Sequence, residues 1–222
     1  MWIIAGRQSA GRGRLARNWV SPVGNLYASA LLVEPCAMGQ GPQIGFVAGV
    51  ALVEALREVA ASGHDGAAEA SFTLKWPNDV LCNGAKLAGI LVEGLTLPGQ
   101  RFAAIVGVGV NCASAPDGLA YPTASLASAL GRPVDPAALF ATLRKTFAAT
   151  LARWSRGENF PAIREAWLES AAGLGGPIRV RRGEEARDGT FSGLDPDGRL
   201  QLRRPGGELE LIEAGDIALA SP

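Results

Sequence analysis

The dipeptide Asn83-Gly84, set between the apolar runs Val80-Leu81-Cys82 and Ala85-Lys86-Leu87, constrains this chain more than any other feature. Asn and Gly both accept positive φ, so the pair closes a two-residue turn whose twist suits antiparallel strands. The chain must therefore hold antiparallel sheet near its middle. Lys86 opens the returning strand, which runs to about Glu93. Around this hairpin, Asn25 to Val33, Phe72 to Trp76 and Phe102 to Val110 read as further strands, and residues 2–8 read as a short first one. Ile44 to Ala61 carries an apolar stripe at helical period, and Pro136–Arg156 and Pro161–Ser170 read as two later helices.

After the cluster Gly173–Gly176 the texture changes. Short segments at Ile178–Arg181, Ala186–Leu194, Leu200–Arg203 and Leu209–Ile212 alternate with turn signals such as Asp195-Pro196-Asp197-Gly198. That pattern predicts a small antiparallel barrel of about 45 residues. The fold class is α+β: strands first, helices packed on the sheet, then an all-β unit. The expected division is 1–172 for the first unit and 173–222 for the second. The 222 residues are 48% hydrophobic, enough for a core in each.

Charge excludes one class of function. Lys+Arg and Asp+Glu number 21 each, whereas a dedicated nucleic-acid binder carries a basic excess. Cys36, Cys82 and Cys112 are far apart, as expected of reduced thiols in a cytosolic protein. With a single histidine, His64, a zinc site built from several histidines is not available, and this one reads as incidental in a Gly-flanked loop. Met1–Ala5 is too short for a signal-peptide core before Arg7, and no apolar run approaches the ~18 residues of a membrane span. A soluble, cytoplasmic protein is expected.

Four segments carry chemistry. Residues 9–24 form a Gly- and Arg-rich loop containing Gly11-Arg12-Gly13-Arg14, Arg17 and Trp19. It reads either as a solvated surface loop or as a lid that orders over an anion, with glycine letting amides approach and guanidinium forks matching oxyanions. Lys75-Trp76-Pro77-Asn78-Asp79 ends a strand at a proline; it is a strand-ending turn or a mouth lined with a cation and polar groups. Lys86 is an exposed strand-start lysine or a cation placed at a carboxyl or phosphate, with Gly89 allowing close backbone approach on the same strand. Gly107-Val108-Gly109-Val110-Asn111 is a bulge or a glycine-relieved strand beside a ligand. No Ser/His or Cys/His constellation accompanies them.

The combination Gln8-x-x-Gly11-Arg12-Gly13-Arg14-x-x-Arg17-x-Trp19, then KWPND at 75–79, KLAGIL at 86–91 and GVGVN at 107–111, resembles the catalytic core of biotin protein ligases. The resemblance implies a class II synthetase-like core with a mixed or antiparallel sheet, followed by an SH3-like barrel. It implies activation of biotin by MgATP to biotinoyl-5′-AMP and transfer to a lysine of a biotin carboxyl carrier domain. Catalytic positions would be Lys86, Arg14 and Lys75. Gln8, Gly11, Arg12, Gly13, Arg14, Lys86 and Gly89 would contact biotin or its adenylate. Trp19, Lys75, Asn78 and Asn111 would lie near ATP. ATP and Mg²⁺ are implied, a protein metal site is not, and a homodimer paired through the sheet is in keeping with the family. Ala16 stands where such ligases usually have glycine. Their cores also begin earlier, with a Ser-Thr-Asn segment for the ureido head of biotin. This chain begins inside the following strand, so a core lacking that piece is expected. Without a winged-helix region, DNA binding and repression are not expected. A lipoate- or octanoate-type ligase, or a non-catalytic adenylate or carrier binder, is the alternative.

Overall fold

The structure, a computed structural model, describes residues 1–62 and 70–219; the loop histidine His64 lies outside the described residues. β1 (Trp2–Ala5), β2 (Leu26–Val33), β3 (Phe72–Lys75), β4 (Asp79–Cys82), β5 (Ala85–Leu97) and β6 (Arg101–Val110) form a sheet in the order β1-β2-β6-β5-β4-β3. All of its strand pairings are antiparallel, so the mixed sheet allowed by the sequence is not the one formed. The Asn83-Gly84 turn joins β4 to β5 as expected, with φ of 49° and 80° at its two residues.

Alternation gives this sheet two different faces. Leu26, Ala28 and Ala30 of β2 share one face with Val106, Val108 and Val110 of β6, and all are buried. Against that face lie α1 (Gln43–Ala61) and α3 (Pro136–Trp154), and α4 (Phe160–Glu169) packs on both helices. α1 buries Ile44, Phe46, Val47, Leu52 and Leu56 among others; each large apolar side chain so placed contributes roughly 1.5–3 kcal/mol. The other face presents Tyr27, Ser29, Gly89, Leu91, Gly107 and Gly109, and these line an open cleft.

A second sheet contains β7 (Pro177–Arg182), β8 (Glu185–Leu194), β9 (Leu200–Arg203), β10 (Leu209–Ile212) and β11 (Asp216–Leu219), in the order β10-β9-β8-β7-β11. Ile178, Val180, Phe191, Leu200, Leu202 and Ile217 fill its core. It docks on the first layer through the Asp195–Gly198 turn. The Trp76 indole donates to the Gly198 carbonyl at 3.3 Å, and a Cβ built on Gly198 would meet Phe46 at 2.8 Å.

Several boundaries differ from the sequence reading. β1 stops at Ala5 because the chain then turns toward Ser21, whose carbonyl accepts from the Gln8 amide. α3 ends at Trp154, where Ser155 and Arg156 turn left-handed at φ 50° and 56°. The five-residue α2 (Leu126–Leu130) is too short to show a period. β11 was not expected, because its single buried side chain, Ile217, leaves no alternation to read. Among the described residues no helix is long and apolar enough to cross a membrane.

Candidate active site

The cleft has a volume of about 920 Å³ and lies between the bare face of the first sheet, the Gly-Arg loop and β11. Its floor is a glycine pair. Gly89 of β5 and Gly109 of β6 stand directly opposite each other, and the Trp19 indole lies on both. A Cβ on Gly109 would come within 2.7 Å of Trp19 Nε1, and one on Gly89 within 3.1 Å of Cζ3. The registers of β6 run without interruption through Gly107–Gly109. The segment therefore forms no bulge, and Gly109, with Gly89 opposite, makes room for a ring.

The bulge is elsewhere, and it aims the lysine. The β4–β5 register shifts between Val80 and Leu81, so that Val80 faces Ala88 while Leu81 faces Lys86. Leu87 is the extra residue. Leu87 and Ala88 can then both be fully buried, while Lys86 is carried to the cleft side with Gly89. Re-aiming a side chain is a recurrent consequence of such bulges. Alternation alone would have put Lys86 on the face of Ala88.

The Gly-Arg loop folds back as a small hairpin. Gly13 N–H donates to Arg17 O at 2.8 Å and Trp19 N–H to Gly11 O at 2.9 Å, bracketing an Arg12–Asn18 bridge. Leu15 and Ala16 at its tip have φ of 54° and 55°. The left-handed region costs a non-glycine residue about 1–2 kcal/mol. Gly11 is buried beneath this hairpin; a Cβ there would meet the Trp19 carbonyl oxygen at 2.4 Å and Ser21 Oγ at 2.6 Å. Arg14 donates to the Gly215 carbonyl at 3.2 Å and to Asn78 Oδ1 at 3.4 Å. Arg14 and Arg17 both pair with Asp216, at the start of β11.

At the mouth of β3, Lys75 stands opposite Asp79 in register. Asp79 reaches Lys86 Nζ at 2.8 Å and Lys75 Nζ at 4.0 Å. Asn78 donates to the Ile90 carbonyl at 2.7 Å, fixing this turn to β5. Burial pushes the Lys75 ammonium below the ordinary lysine range; Lys86 adds to that push, and the Asp79 carboxylate opposes it. With Arg12 paired to Glu93 at 3.7 Å, each of the cleft's five cations (Arg12, Arg14, Arg17, Lys75 and Lys86) has a carboxylate within 4.0 Å. The three carboxylates involved leave an excess of two positive charges, suited to an anionic ligand that displaces them.

The cleft thus gathers Gln8, Arg12, Gly13, Arg14, Trp19, Lys75, Asn78, Lys86 and Gly89 from the expected set. Gly11 and Asn111 are not among its lining residues. Asn111 is buried and donates to the Ala124 carbonyl at 3.1 Å, bracing the segment that returns beside Lys86. Sequence reasoning missed Asp216 and Tyr121, and it read Asp79 as a turn residue or a polar group facing a ligand rather than as the partner of Lys75 and Lys86. Asp216 lies 199 residues from Arg17, and nothing local marks such a pairing.

A family model described as the Biotin/lipoate A/B protein ligase family matches residues 1–111, and one for the Biotin protein ligase C terminal domain matches residues 173–219. The biotin–[acetyl-CoA-carboxylase] ligase of Paracoccus denitrificans is 41% identical, over 97% of this chain and 89% of that one. The chain belongs to the biotin protein ligase family. Another relative, the bifunctional ligase/repressor BirA of Bacillus subtilis, is 31% identical; 98% of this chain matches 65% of its length. The biotin protein ligase of Aquifex aeolicus, solved in complex with biotin and ATP, superposes with a TM-score of 0.79 at 27% identity, over 100% of this chain and 89% of that one. This ligase-family chain therefore has the α+β core and terminal SH3-like barrel implied by its motifs.

Proposed function

We propose that this chain is an ATP-dependent biotin–protein ligase of two steps. The observation that carries the reading is the convergence of Lys86, Lys75 and Arg14 around an indole seated on the Gly89–Gly109 floor. In the first step a biotin carboxylate oxygen attacks the α-phosphorus of ATP. An O–P bond forms, the α–β bridging P–O bond breaks, and pyrophosphate leaves. Lys86 neutralises charge between carboxylate and α-phosphate, while Lys75 and Arg14 hold phosphate oxygens. Such chemistry needs positioning and charge stabilisation rather than a protein nucleophile. In the second step the amine of an acceptor lysine attacks the acyl carbon and AMP departs. The mixed anhydride must meanwhile be kept from water, and the Gly-Arg hairpin, tied to β11, roofs that space.

Gln8, Gly13, Arg12 and Gly89 line the biotin and adenylate side, and Trp19 and Asn78 the nucleotide side. Gly11 and Asn111 support the loop and the 113–124 segment from behind. Among the described residues no cluster of potential metal ligands exists, and Asp79 is already held by two lysines. Mg²⁺ would enter on the triphosphate as MgATP. The acceptor is a biotin carboxyl carrier domain of a cytoplasmic carboxylase, and residues 1–172 and 173–222 act as core and closing barrel. The exposed Ile3 and Ile4 on the edge strand β1 favour pairing of two copies through that edge.

Pyrophosphate release from MgATP, measured with biotin, lipoate and octanoate in parallel, tests this. Biotin alone is expected to drive release, and Lys86→Ala is expected to lower it about a hundredfold or more, the loss of several kcal/mol of charge stabilisation. Release driven by lipoate or octanoate would reassign the acid. Near-normal rates in Lys86→Ala would remove that lysine from the chemistry.

A further inference from the structure

Lys86 is held by more than its ion pair. Its Nζ lies 5.6 Å from the centroid of Trp19 and 5.5 Å from that of Tyr121. Two aromatic rings from distant parts of the chain thus flank one ammonium. The placement of Tyr121 is built into the backbone. Lys86 N–H donates to Pro122 O at 2.8 Å, and Ala124 N–H donates to Lys86 O at 2.9 Å, forming an isolated parallel bridge between Lys86 and Thr123. Thr123 Oγ1 donates to the Pro116 carbonyl at 2.7 Å, and Asn25 accepts from the amides of Ala113 and Ser114 at 2.9 and 3.2 Å. The segment bearing Tyr121 is therefore stapled to the backbone of the very lysine its ring attends.

We propose that Tyr121 is a positioning residue for Lys86 in adenylate formation, an inference that rests on the ligase reading above. In the free protein Asp79 holds the Lys86 ammonium at 2.8 Å. To serve a carboxylate or phosphate, that ammonium must turn N–H donors not taken by Asp79 into the cleft. A lysine side chain is a flexible four-carbon stem, and unrestrained it would sample many directions. A ring face attracts the cation without occupying oxygen-binding geometry, so the N–H donors remain free for the substrate. Asp79 cannot do this, because each oxygen it offers competes with a substrate oxygen. Trp19 alone is insufficient once its own face is engaged by a ligand ring; Tyr121, a half-exposed second ring at 5.5 Å from the same ammonium, remains to hold it.

The test compares Tyr121→Phe, which keeps the quadrupole, with Tyr121→Leu, which keeps apolar bulk and loses it. Tyr121→Phe is expected to retain the wild-type kcat for biotin-dependent pyrophosphate release. Tyr121→Leu is expected to lose about 3- to 10-fold in kcat, the scale of one exposed to half-buried cation–π contact, with little change in KM for ATP. The same Leu substitution in a Lys86→Ala background should have no further effect, because its partner is gone. Equal activity of Tyr121→Leu and wild type would overturn the proposal. So would equal losses in Phe and Leu, or a Leu penalty that persists without Lys86. Tyr121→Met serves the same comparison if the leucine variant does not fold. A readout independent of turnover is the NMR position of the Lys86 ε-methylene protons. They are expected upfield of ordinary lysines through ring currents and to move back toward them in Tyr121→Leu. An unshifted wild-type resonance would refute the clamp even if the ligase activity were absent, whereas a shifted one with no biotin-dependent release would count against the ligase reading alone.

Discussion

Adding one methyl group to the cleft floor gives a graded experiment. A Cβ at Gly109 would lie 2.7, 2.8 and 3.0 Å from Nε1, Cε2 and Cζ2 of Trp19. Comfortable heavy-atom contact is about 3.5–4.0 Å, so the indole must lift by about 1 Å. At Gly89 the nearest ring atom is 3.1 Å away, and at Gly107 the nearest atom is the Leu91 carbonyl oxygen at 3.6 Å, an ordinary contact. All three sites are strand glycines without positive φ, so the backbone consequence of Gly→Ala is shared and mildly stabilising. What differs is the ring. Overpacking on this scale costs about 1–3 kcal/mol, which is roughly 5- to 150-fold if it falls on seating Trp19 for the first step. Gly109→Ala is expected to show that loss in biotin-dependent pyrophosphate release, Gly89→Ala a smaller one, and Gly107→Ala a change within about twofold. Thermal unfolding should not track this order, because the indole sits on a loop outside the core. If Gly109→Ala and Gly107→Ala release pyrophosphate at the same rate, Trp19 does not rest on this floor in the working enzyme, and the assignment of its seat fails.

Asp216→Asn removes the anchor shared by Arg14 and Arg17. Pairs this exposed are worth at most about 1 kcal/mol, so the adenylate should leak about 2- to 5-fold faster, read as pyrophosphate released in excess of biotin transferred. Tight coupling in that variant would mean that β11 does not steady the loop. Lys75 sets an alkaline limit: with burial holding its ammonium below the ordinary 10.5, release should decline before that pH as the cation is lost. Asp79→Asn removes the carboxylate that opposes the shift, so the limb should move to lower pH; a limb that stays or rises would separate Lys75 from the reaction. The same depressed value fixes the sign of its stability effect. An unfolded lysine keeps its proton longer, so the folded chain gains stability as pH climbs through the folded value toward 10.5.

Local chemistry explains what could be read without the structure. Asn83-Gly84 dictated the hairpin because positive φ is a property of those two residues alone. The stripe of α1 and the alternation of β6 appear because burial repeats at the period of the element. The motif residues were legible too, since few side chains suit phosphates and carboxylates, and nine of the eleven expected positions line the cleft. Gly11 and Asn111 stand behind it because a motif marks a residue as constrained without saying whether it touches ligand or supports what does.

Sequence by itself therefore determined the α+β class, the central hairpin and the inventory of cations. Tertiary structure decided where those cations point and what holds them. The bulge at Leu87 turns Lys86 to the cleft only because Leu87 and Ala88 can both be buried on the other side. Gly89 and Gly109 become a floor only when β5 and β6 lie in register. Asp216 reaches the Gly-Arg loop only after β11 pairs with β7 and the second sheet docks. Each of these depends on groups brought together across the chain, and local periodicity carries no record of which distant residue will be opposite.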